Sequence, residues 1–583
     1  MTSVTRQQWP WLMSAALVLA LVIQSPAIGG SFYDDDYAQL AAARGVSEPS
    51  IAARSRFDLY RFFSGDPKDA RVLLRHGAVP WWFEPTTQMA FLRPLSSALM
   101  VADATLFGLE ARYYHLHSLL WYAAFVISVW LVAKRVTPRS AGLAALLFAA
   151  SQYSAGLAVV WWCNRHLIVS GTLGCLALWA YMRWRNDGWR PGKSLASLGF
   201  VLALASGESG MLSLAYLGAF ELIGAKVPWK SRLRALFTLT VFAVSYLLAR
   251  SALGCGTRNE YSYCDPLREP GRFLREVAIR WPKLFLSMWS GGVDAPLQRR
   301  AGTVTAAVFF VTLLVVVCAS TFVARTVERR ALAWIALGTA LSLALATTSP
   351  ATILQTPTVG VAIASAALLV GAFDAARRDD RGWRWRAFAV SSAVVLLGSQ
   401  ALCAAYFARR EMEIHSREQR IAHQEIVEAD VDPGARQVVA IGGRTVSWAA
   451  LAAMNLFRRD LSLRAWWGVV LNDSNTEMEV TRSGPKTIEI ACNTANCSLV
   501  ELPNWFRGPP FSMSAGDEVT LDGLRIRVVS SSLAGPGRIE LAFDSELNLR
   551  STSFVAFDGA AFRRVRAPEV GGKLPLQYKL PLL

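Results

Sequence analysis

Three consecutive carboxylates, Asp34, Asp35 and Asp36, follow directly on the first long apolar stretch of the chain. Crowded carboxylates raise one another's pKa or attract a cation, and either effect suits a general base that takes a proton from a hydroxyl group. A cluster of this kind could also bind a divalent metal ion. The alternative is the solvated start of a helix, where aspartate is favoured. Composition alone leaves both interpretations open.

Two arginines stand where an anion could bind. Arg93 lies at the entry to an apolar stretch, and Arg165 lies between Asn164 and His166 in a short turn between two apolar segments. A planar guanidinium can hold a phosphate through two hydrogen bonds, whereas an arginine at an interface needs no ligand. Because a polar run such as Asn164 to His166 is unusual between apolar helices, Arg165 is the better candidate of the two.

A third group of polar residues interrupts apolar sequence. Glu208 is a lone ionisable residue in the segment from Ser194 to Ala225. Such a residue costs about 2.5–3.5 kcal/mol at the middle of a membrane helix, and less at a turn, so it is a functional candidate. His115 and His117 begin another apolar stretch. Two histidines two residues apart point to different faces of a helix, which makes them a poor metal pair.

The elements that must position these residues are set by composition. The chain has 583 residues, of which 53% are hydrophobic and 18% charged, with 21 tryptophans. This composition excludes a disordered chain and an ordinary soluble enzyme, and indicates a membrane protein. The net charge of +17 is distributed in short clusters between apolar runs. That pattern favours a role in membrane orientation over nucleic-acid binding.

A bilayer core needs about 20 apolar residues per helix. On this criterion we predict eleven membrane spans, with two in Ala331 to Phe373, where Ser349-Pro350 and Pro357 supply a break, and two short ones meeting near Glu208. The other seven are Pro10 to Tyr33, Tyr113 to Ala133, Ser140 to Cys163, Leu167 to Met182, Ala235 to Ala249, Ala301 to Ala324 and Ala387 to Ala408.

Basic clusters predict the orientation of these spans, since cytoplasmic loops carry an excess of lysine and arginine. Five clusters fall on one side if the segment around Glu208 crosses twice, which predicts a cytoplasmic N-terminus and an extracytoplasmic C-terminus. The clusters begin at Lys134, Arg183, Lys226, Arg325 and Arg377. All the candidate residues then share the outer side of an inner (plasma) membrane.

Four cysteines agree with this orientation. Cys255 and Cys264 flank a short polar loop, and Cys492 and Cys497 lie near the C-terminus. Both pairs fall on the predicted outer side, where disulfides persist, so they are disulfide candidates. The cysteines within the apolar stretches show no metal-binding spacing and are expected to be small buried residues.

We predict a membrane domain over residues 1–408, with outer loops at 31–92 and 251–300. The amphipathic stretch Phe273 to Trp289 in the second loop is expected to lie along the membrane interface. A charged helical connector, 409–428, leads to residues 429–583, where short alternating segments between glycine and proline turns predict a β-rich extracytoplasmic domain. The fold class is therefore a polytopic α-helical membrane protein with a β-rich C-terminal domain.

Several of these motifs, in this order, resemble the GT-C glycosyltransferases. The resemblance is to bacterial relatives of the O-mannosyltransferases that carry tetratricopeptide repeats, and it covers roughly residues 1–230. The motifs are Asp34-Asp35-Asp36-Tyr37, Phe91-Leu92-Arg93-Pro94-Leu95, Leu106-Phe107-Gly108-Leu109, Tyr114-His115-Leu116, Val159 with Trp161 and Arg165, and Ser206-Gly207-Glu208-Ser209.

The resemblance implies an inverting membrane enzyme that transfers a sugar from a polyprenyl-phosphate carrier to a protein or glycan acceptor on the outer side. It implies that Asp34 and Asp35 match the family's catalytic acidic pair and that Arg93 and Arg165 help to hold the donor phosphate. Asp36, His115, Asn164, His166 and Glu208 would line the pocket. Membrane lipids are expected partners, no redox cofactor is needed, and a divalent metal at the aspartates is left open.

Two other functions remain as alternatives. One is a transporter whose pathway is lined by Glu208 and the aspartates, although transporters place charges near the bilayer midplane and show repeated halves. The other is a non-catalytic scaffold that binds a lipid carrier. It is kept open because the family's acidic residue four before the tryptophan is Leu157 here, and its lysine before the glutamate is Gly207.

Overall fold

The computed structural model describes residues 10–46, 51–260, 262–291, 329–349, 354–377, 382–443, 448–470, 476–493, 497–500, 506–508, 511–547 and 551–578. The predicted span Ala301 to Ala324 lies outside these residues. In chain order the helices are α1 (Pro10–Gln24), α2 (Asp35–Arg44), α3 (Pro67–His76), α4 (Pro94–Phe107), α5 (Ala111–Val136), α6 (Ala141–Ala150), α7 (Gln152–Ala155), α8 (His166–Asp187), α9 (Pro191–Ser206), α10 (Met211–Ala219), α11 (Trp229–Ala252), α12 (Pro270–Ser290), α13 (Arg329–Ala346), α14 (Gln355–Ala376), α15 (Gly382–Leu397), α16 (Ala404–Val427) and α17 (Ala450–Phe457).

The chain is an integral membrane protein. Within the described residues, seven helical stretches are long and apolar enough to cross a bilayer: Trp11–Gly29, Ala111–Val136, Trp162–Asp187, Trp229–Ala252, Arg329–Ala346, Gln355–Ala376 and Gly382–Val427. Each of these overlaps a predicted span, including the two predicted on either side of Ser349-Pro350. The total of eleven spans and the orientation of the chain stay predictions.

The predicted span Ser140 to Cys163 is not one straight helix. The helical stretches Pro138–Ala150 and Gln152–Ala158 meet at an angle of 77°. Ser151 causes the break, because its backbone is extended and its hydroxyl accepts a hydrogen bond from the backbone amide of Tyr153, which starts a new helix. Gly156 then adopts a φ of +51°, which glycine tolerates.

The segment around Glu208 is confirmed as two short helices. Helix α9 ends at Ser206, a single 3₁₀ turn spans Glu208–Gly210, and α10 begins at Met211. The amphipathic stretch after residue 270 is confirmed as helix α12, whose second half is buried and whose Leu274 and Ile279 are exposed. Its position along a membrane interface stays a prediction.

The strands form three sheets. In chain order they are β1 (Arg61–Ser64), β2 (Gln88–Ala90), β3 (Gly256–Arg258), β4 (Gln437–Ile441), β5 (Ala465–Val470), β6 (Thr476–Gly484), β7 (Thr487–Cys492), β8 (Glu518–Thr520), β9 (Leu524–Ser532), β10 (Gly535–Phe543), β11 (Thr552–Phe557), β12 (Phe562–Arg564) and β13 (Lys573–Tyr578). The small antiparallel sheet β1-β2-β3 joins the two predicted outer loops.

The C-terminal region is β-rich, as predicted. One sheet has the order β13-β6-β7-β10-β9-β8 and is antiparallel, and the other, β12-β11-β4-β5, is mixed, with β4 parallel to both β11 and β5. The antiparallel strands alternate buried apolar and exposed charged residues, as in β9, where Ile526 and Val528 are buried and Arg525 and Arg527 are exposed. This period of two is the pattern of a sheet with one solvated face.

The C-terminal region packs on the first predicted outer loop through one shared apolar core. Trp82 of the loop and Trp466 of β5 are both fully buried in it. The indole of Trp81 donates to the carbonyl of Val469 at 3.1 Å, and the indole of Trp467 donates to the carbonyl of Arg75 at 3.2 Å. The C-terminal region therefore lies on the side of the membrane domain that carries the acidic cluster.

The disulfide predictions have different outcomes. Cys492 and Cys497 form a disulfide bond, as expected. The prediction for Cys255 and Cys264 is wrong, because both are free and buried. Cys255 accepts a hydrogen bond from the guanidinium of Arg61, whereas the backbone amide of Cys264 is tied to the carbonyl of Thr348. These separate anchors hold the two thiols in different surroundings.

Candidate active site

The acidic cluster lies at the start of α2. Asp34 precedes the helix with a φ of +50°, a rare conformation that aspartate adopts more readily than most residues. Its carboxylate accepts a hydrogen bond of 2.6 Å from the indole of Trp448 in the C-terminal region. Asp35 and Asp36 follow in the first turn of the helix.

Asp35 and Asp36 both contact the turn that precedes α8. Asp35 accepts hydrogen bonds from the indole of Trp161 at 2.8 Å and from the thiol of Cys163 at 2.9 Å. Asp36 is fully buried and accepts from the backbone amides of Cys163 at 2.8 Å and Tyr33 at 3.2 Å. The three carboxylates thus diverge to separate donors. In the described part of the chain, no group of three histidine, cysteine or acidic side chains is arranged to hold a metal ion.

Burial gives the three carboxylates different acidities. Burial and the neighbouring charge of Asp35 raise the pKa of Asp34 to about 8. Burial also raises the pKa of Asp35, but only to about 6, because the hydrogen bonds from Cys163 and Trp161 and the charge of Arg93 favour its ionised form. The pKa of Asp36 is raised well above its usual value, mainly by burial. Asp34 therefore holds a proton more readily than Asp35 does.

Arg93 is held at the start of α4 by an acid and two rings. Its Nε donates to Glu208 at 3.0 Å, and its guanidinium carbon lies 4.1 Å from the centre of the Phe91 ring and 4.8 Å from that of Tyr60. Pro94 follows in the first position of the helix, where proline is favoured, and the backbone of Arg93 before it is not helical, with φ −131° and ψ 57°. The break between α9 and α10 brings Glu208 to this point.

Arg93 and Glu208 line a cavity of about 290 Å³. Its other polar walls include His166, Ser209, Arg250, Tyr263 and Asp265, and its apolar walls include Phe91, Leu167, Met211, Leu212, Leu247 and Leu345. Arg250 donates to Asp265 at 2.9 Å and lies 3.9 Å from Glu208. A small cavity with apolar walls and two arginines on one side has the chemistry to bind a phosphate attached to an apolar chain.

The three aspartates do not line the cavity, but a chain of contacts links Asp35 to its wall. The hydroxyl of Tyr60 donates to the carbonyl of Cys163 at 2.8 Å, while the same ring lies against Arg93 and, at 5.4 Å between centres, against His166. Cys163 in turn donates its thiol to Asp35. Two hydrogen bonds and one ring contact therefore connect Asp35 to Arg93.

Arg165 is fully engaged elsewhere. It forms a buried ion pair with Asp103 and donates to the hydroxyl of Ser118 at 2.8 Å and to the carbonyl of Tyr114 at 2.7 Å. It does not line the cavity. The expectation that Arg165 holds a donor phosphate is corrected on this ground, since the arginine is only 4% exposed and each of its nitrogens already has an acceptor.

Of the remaining predicted pocket residues, some line the cavity and others do not. His166 lines the cavity, with its Nδ1 3.5 Å from the Arg93 guanidinium and 3.0 Å from the carbonyl of Cys163. His115 is buried at the carbonyl of Val159, 3.2 Å away, and does not line the cavity. Asn164 is half-buried in the 3₁₀ turn Trp162–Arg165 and also lies outside the cavity lining.

Several residues of the site were not predicted from the sequence: Tyr60, Trp448, Arg250, Tyr263 and Asp265. Arg250 had a usable signal, because it is a basic residue at the end of a span that is predicted to be the outer end, against the usual charge bias. Tyr60 and Trp448 had none, since no charge or motif beside them sets them apart from the other tyrosines and tryptophans of the chain.

Comparison with known proteins gives a distant structural likeness. No family model and no curated protein sequence match the chain. Among solved structures, ArnT from Cupriavidus metallidurans bound to undecaprenyl phosphate is similar, with a TM-score of 0.37 and 13% identity over 79% of this chain and 90% of that one. The Archaeoglobus fulgidus oligosaccharyltransferase tethered to an acceptor peptide has a TM-score of 0.41 and 13% identity over 79% of this chain and 64% of that one.

Both of these proteins are GT-C glycosyltransferases, the class that the sequence motifs resemble. The functional assignment rests on the geometry of the acidic cluster and the cavity.

Proposed function

We propose that the chain is an inverting glycosyltransferase that takes a sugar from a polyprenyl-phosphate donor and transfers it to an acceptor hydroxyl or amide on the outer side of the membrane. The observation that carries the proposal is the chain of contacts that runs from the carboxylate of Asp35 through Cys163 and Tyr60 to Arg93 in the cavity wall. A transfer reaction of this kind needs a base and an anion site side by side.

The chemistry assigns each group one task. The acceptor oxygen or nitrogen attacks the anomeric carbon as the bond from that carbon to the phosphate oxygen breaks, and the phosphate retains the electron pair. The acceptor proton passes to the carboxylate of Asp35. Attack opposite to the departing phosphate inverts the anomeric carbon. Arg93 and Arg250 stabilise the charge that develops on the phosphate.

Asp35 is the better base of the predicted pair. With a pKa of about 6 it is ionised at neutral pH and can still accept a proton, which is the condition for general base catalysis. Asp34, with a pKa of about 8, is protonated at that pH and stays neutral beside it. The hydrogen bonds from Trp161 and Cys163 use one lone pair on each oxygen of Asp35, which leaves one on each for an acceptor proton.

Two features support an outer location for the site: the disulfide near it and the positive charges at the opposite end of helix α8. The Cys492–Cys497 bond belongs to the region that packs over the acidic cluster, and disulfides persist outside the cytoplasm. Helix α8 starts beside the site at His166 and carries Arg183 and Arg185 near its other end. The positive charges there favour a cytoplasmic position for that end.

The test is Asp35→Asn in membranes that contain the full chain and a polyprenyl-phosphate sugar with a radiolabelled sugar. General base catalysis contributes about 10²–10⁴-fold, so transfer of label from the lipid fraction should fall at least 100-fold while the protein accumulates normally. The matched control is Asp374→Asn, whose carboxylate is paired with Arg139 at 3.0 Å, away from the site. Unchanged transfer in Asp35→Asn would leave a non-catalytic lipid-binding protein as the better description.

A further inference from the structure

We propose that Glu208 is an internal anion that occupies the phosphate position of the cavity, gives way when the lipid donor binds, and then favours release of the more highly charged lipid product. This inference rests on the proposed function, because it concerns the same donor site. It assigns Glu208 a role in exchange of the lipid rather than in bond formation.

The surroundings of Glu208 are those of an anion site. Its Oε2 accepts from Nε of Arg93 at 3.0 Å, and its Oε1 accepts from the backbone amide of Leu92 at 3.3 Å. Nε of Arg250 lies 3.9 Å from Oε1. Two guanidinium groups and a backbone amide therefore converge on a single carboxylate, as they would on the oxygens of a phosphate.

The carboxylate fills this position incompletely. Within the described part of the chain, Nε of Arg250 and the hydroxyl of Ser209 are buried and have no hydrogen-bond partner. Both residues line the cavity beside Glu208. Buried donors without acceptors are costly, and a phosphate has more acceptor oxygens than a carboxylate. A phosphate oxygen placed between Arg250 and Ser209 would satisfy groups that Glu208 does not reach.

Charge balance identifies Glu208 as the group that moves. Arg93 and Arg250 face two acids, Glu208 and Asp265. Asp265 is 1% exposed and is fixed by Arg250 at 2.9 Å and by the backbone amide of Leu267 at 3.0 Å. Glu208 is 26% exposed, at the short turn between α9 and α10. It is the acid that can leave the arginines without a new buried charge being created.

The direction of the effect follows from the charge of the two lipids. In the donor the phosphate is a diester with one negative charge. After transfer it is a monoester, whose second ionisation has a pKa of about 6, so it carries about −1.5 to −2 at neutral pH. The displaced carboxylate of Glu208 repels this added charge and competes for Arg93. Removal of its charge should hold the product in the cavity.

The experiment measures binding of undecaprenyl monophosphate to the full chain in phosphatidylcholine nanodiscs. Glu208→Gln keeps the shape of the side chain without its charge, and its dissociation constant should be about tenfold lower than that of the wild type. Arg93→Lys should bind at least tenfold more weakly, since lysine lacks the planar fork. The matched control is Glu269→Gln, a partly exposed acid that pairs with Arg272 outside the cavity lining and should bind as the wild type does.

Glu208→Asp supplies a second variant should the glutamine variant fail to accumulate. Its carboxylate is withdrawn from Arg93 by one methylene group, and a dissociation constant about threefold lower than that of the wild type is expected. If both Glu208 variants bind undecaprenyl monophosphate as the wild type does, or more weakly, the role of Glu208 is overturned and the proposed function is left intact. If the wild type binds undecaprenyl monophosphate no more strongly than undecaprenol, which lacks the phosphate, the donor site itself is overturned.

A competition experiment tests which kind of phosphate the cavity recognises. Inorganic phosphate and phosphatidylglycerol are added to the same nanodiscs in excess over undecaprenyl monophosphate. Neither should displace it, because neither supplies both a terminal phosphate and a polyprenyl chain for the apolar walls. Displacement by inorganic phosphate or by phosphatidylglycerol would overturn the assignment of the cavity to a lipid monophosphate.

Discussion

The indole of Trp448 donates a hydrogen bond of 2.6 Å to the carboxyl group of Asp34, across 414 positions of sequence. This contact joins the C-terminal region to the acidic cluster of the membrane domain. Phe457, from the same region, packs on Phe32 and Tyr37 on either side of the cluster. The C-terminal region therefore forms part of the site's surroundings, and changes in it should alter the chemistry of the aspartates.

Replacement Trp448→Phe should move the alkaline limb of the activity profile to higher pH. The hydrogen bond from Trp448 lowers the pKa of Asp34, which is about 8 in the wild type, so its loss raises that pKa. Ionisation of Asp34 adds a negative charge beside Asp35 and the departing phosphate, and activity is expected to fall as pH rises through that value. The measurement is kcat/KM for sugar transfer between pH 5 and pH 10.

The control for this variant is Trp467→Phe, which removes an indole hydrogen bond to the carbonyl of Arg75 between the same two parts of the chain, away from the aspartates. Its alkaline limb should match that of the wild type. An equal movement in both variants would mean that the limb reports general loosening of the C-terminal region rather than the ionisation of Asp34.

Replacement Cys163→Ala should move the acidic limb to higher pH. Activity is expected to rise as Asp35 ionises through its pKa of about 6, and the thiol of Cys163 lowers that pKa by a hydrogen bond of 2.9 Å. Without the thiol the limb should move up by about 0.5–1 in pH, where each pH unit corresponds to about 1.4 kcal/mol. Cys163→Ser retains a donor and should restore the limb.

Cys175→Ala is the matched control for Cys163→Ala, because Cys175 is also a buried thiol and lies within α8, beyond the turn that contains Cys163. Its pH profile should be that of the wild type. An acidic limb that stays fixed in Cys163→Ala would contradict the assignment of Asp35 as the base.

Replacement Arg165→Met should destabilise the fold by about 3–5 kcal/mol, because it leaves the buried Asp103 without its cation. The measurement is thermal unfolding of the detergent-solubilised protein. The double variant with Asp103→Leu should recover part of the loss, since no unpaired charge then remains. Arg93→Lys, by contrast, should unfold near the wild-type temperature and lose transfer activity.

The surface pair of Arg112 with Glu110 gives the control for the buried pair. Arg112 is 57% exposed, and exposed ion pairs contribute little, so Arg112→Met should unfold as the wild type does. If Arg165→Met is as stable as the wild type but no longer binds the donor, Arg165 is a phosphate ligand after all.

Thiol labelling of whole cells should place the C-terminal region outside. After mild reduction a membrane-impermeant maleimide is expected to label Cys492 and Cys497, whose disulfide opens, and to leave the buried Cys255 and Cys264 unlabelled. The double variant Cys492→Ser with Cys497→Ser should show no labelling at these positions. Labelling that appears only after the membrane is permeabilised would reverse the proposed orientation.

Much of the architecture followed from local sequence. Apolar stretches of membrane-spanning length predicted helices such as α5 and α14, and alternating residues predicted strands such as β9, because both patterns are repeated within one element. The two short helices at Glu208 were predicted because the five basic clusters share one side of the membrane only if the segment from Ser194 to Ala225 crosses twice. The bend at Ser151 was missed, since a serine that accepts a helix-capping hydrogen bond is indistinguishable in sequence from one that lies within a helix.

The sequence by itself determined that this is a membrane protein with an acidic cluster, a candidate arginine at Arg93 and a β-rich end, because these properties depend on residues that are near neighbours along the chain. Only the tertiary structure decided that Arg165 is paired with Asp103, that Arg250 lies near Glu208 together with Arg93, and that Trp448 donates a hydrogen bond to Asp34. Each of these contacts joins residues more than 40 positions apart. The partner of a buried charge, and hence whether that charge is free for a ligand, is set by packing between elements, which no local pattern encodes.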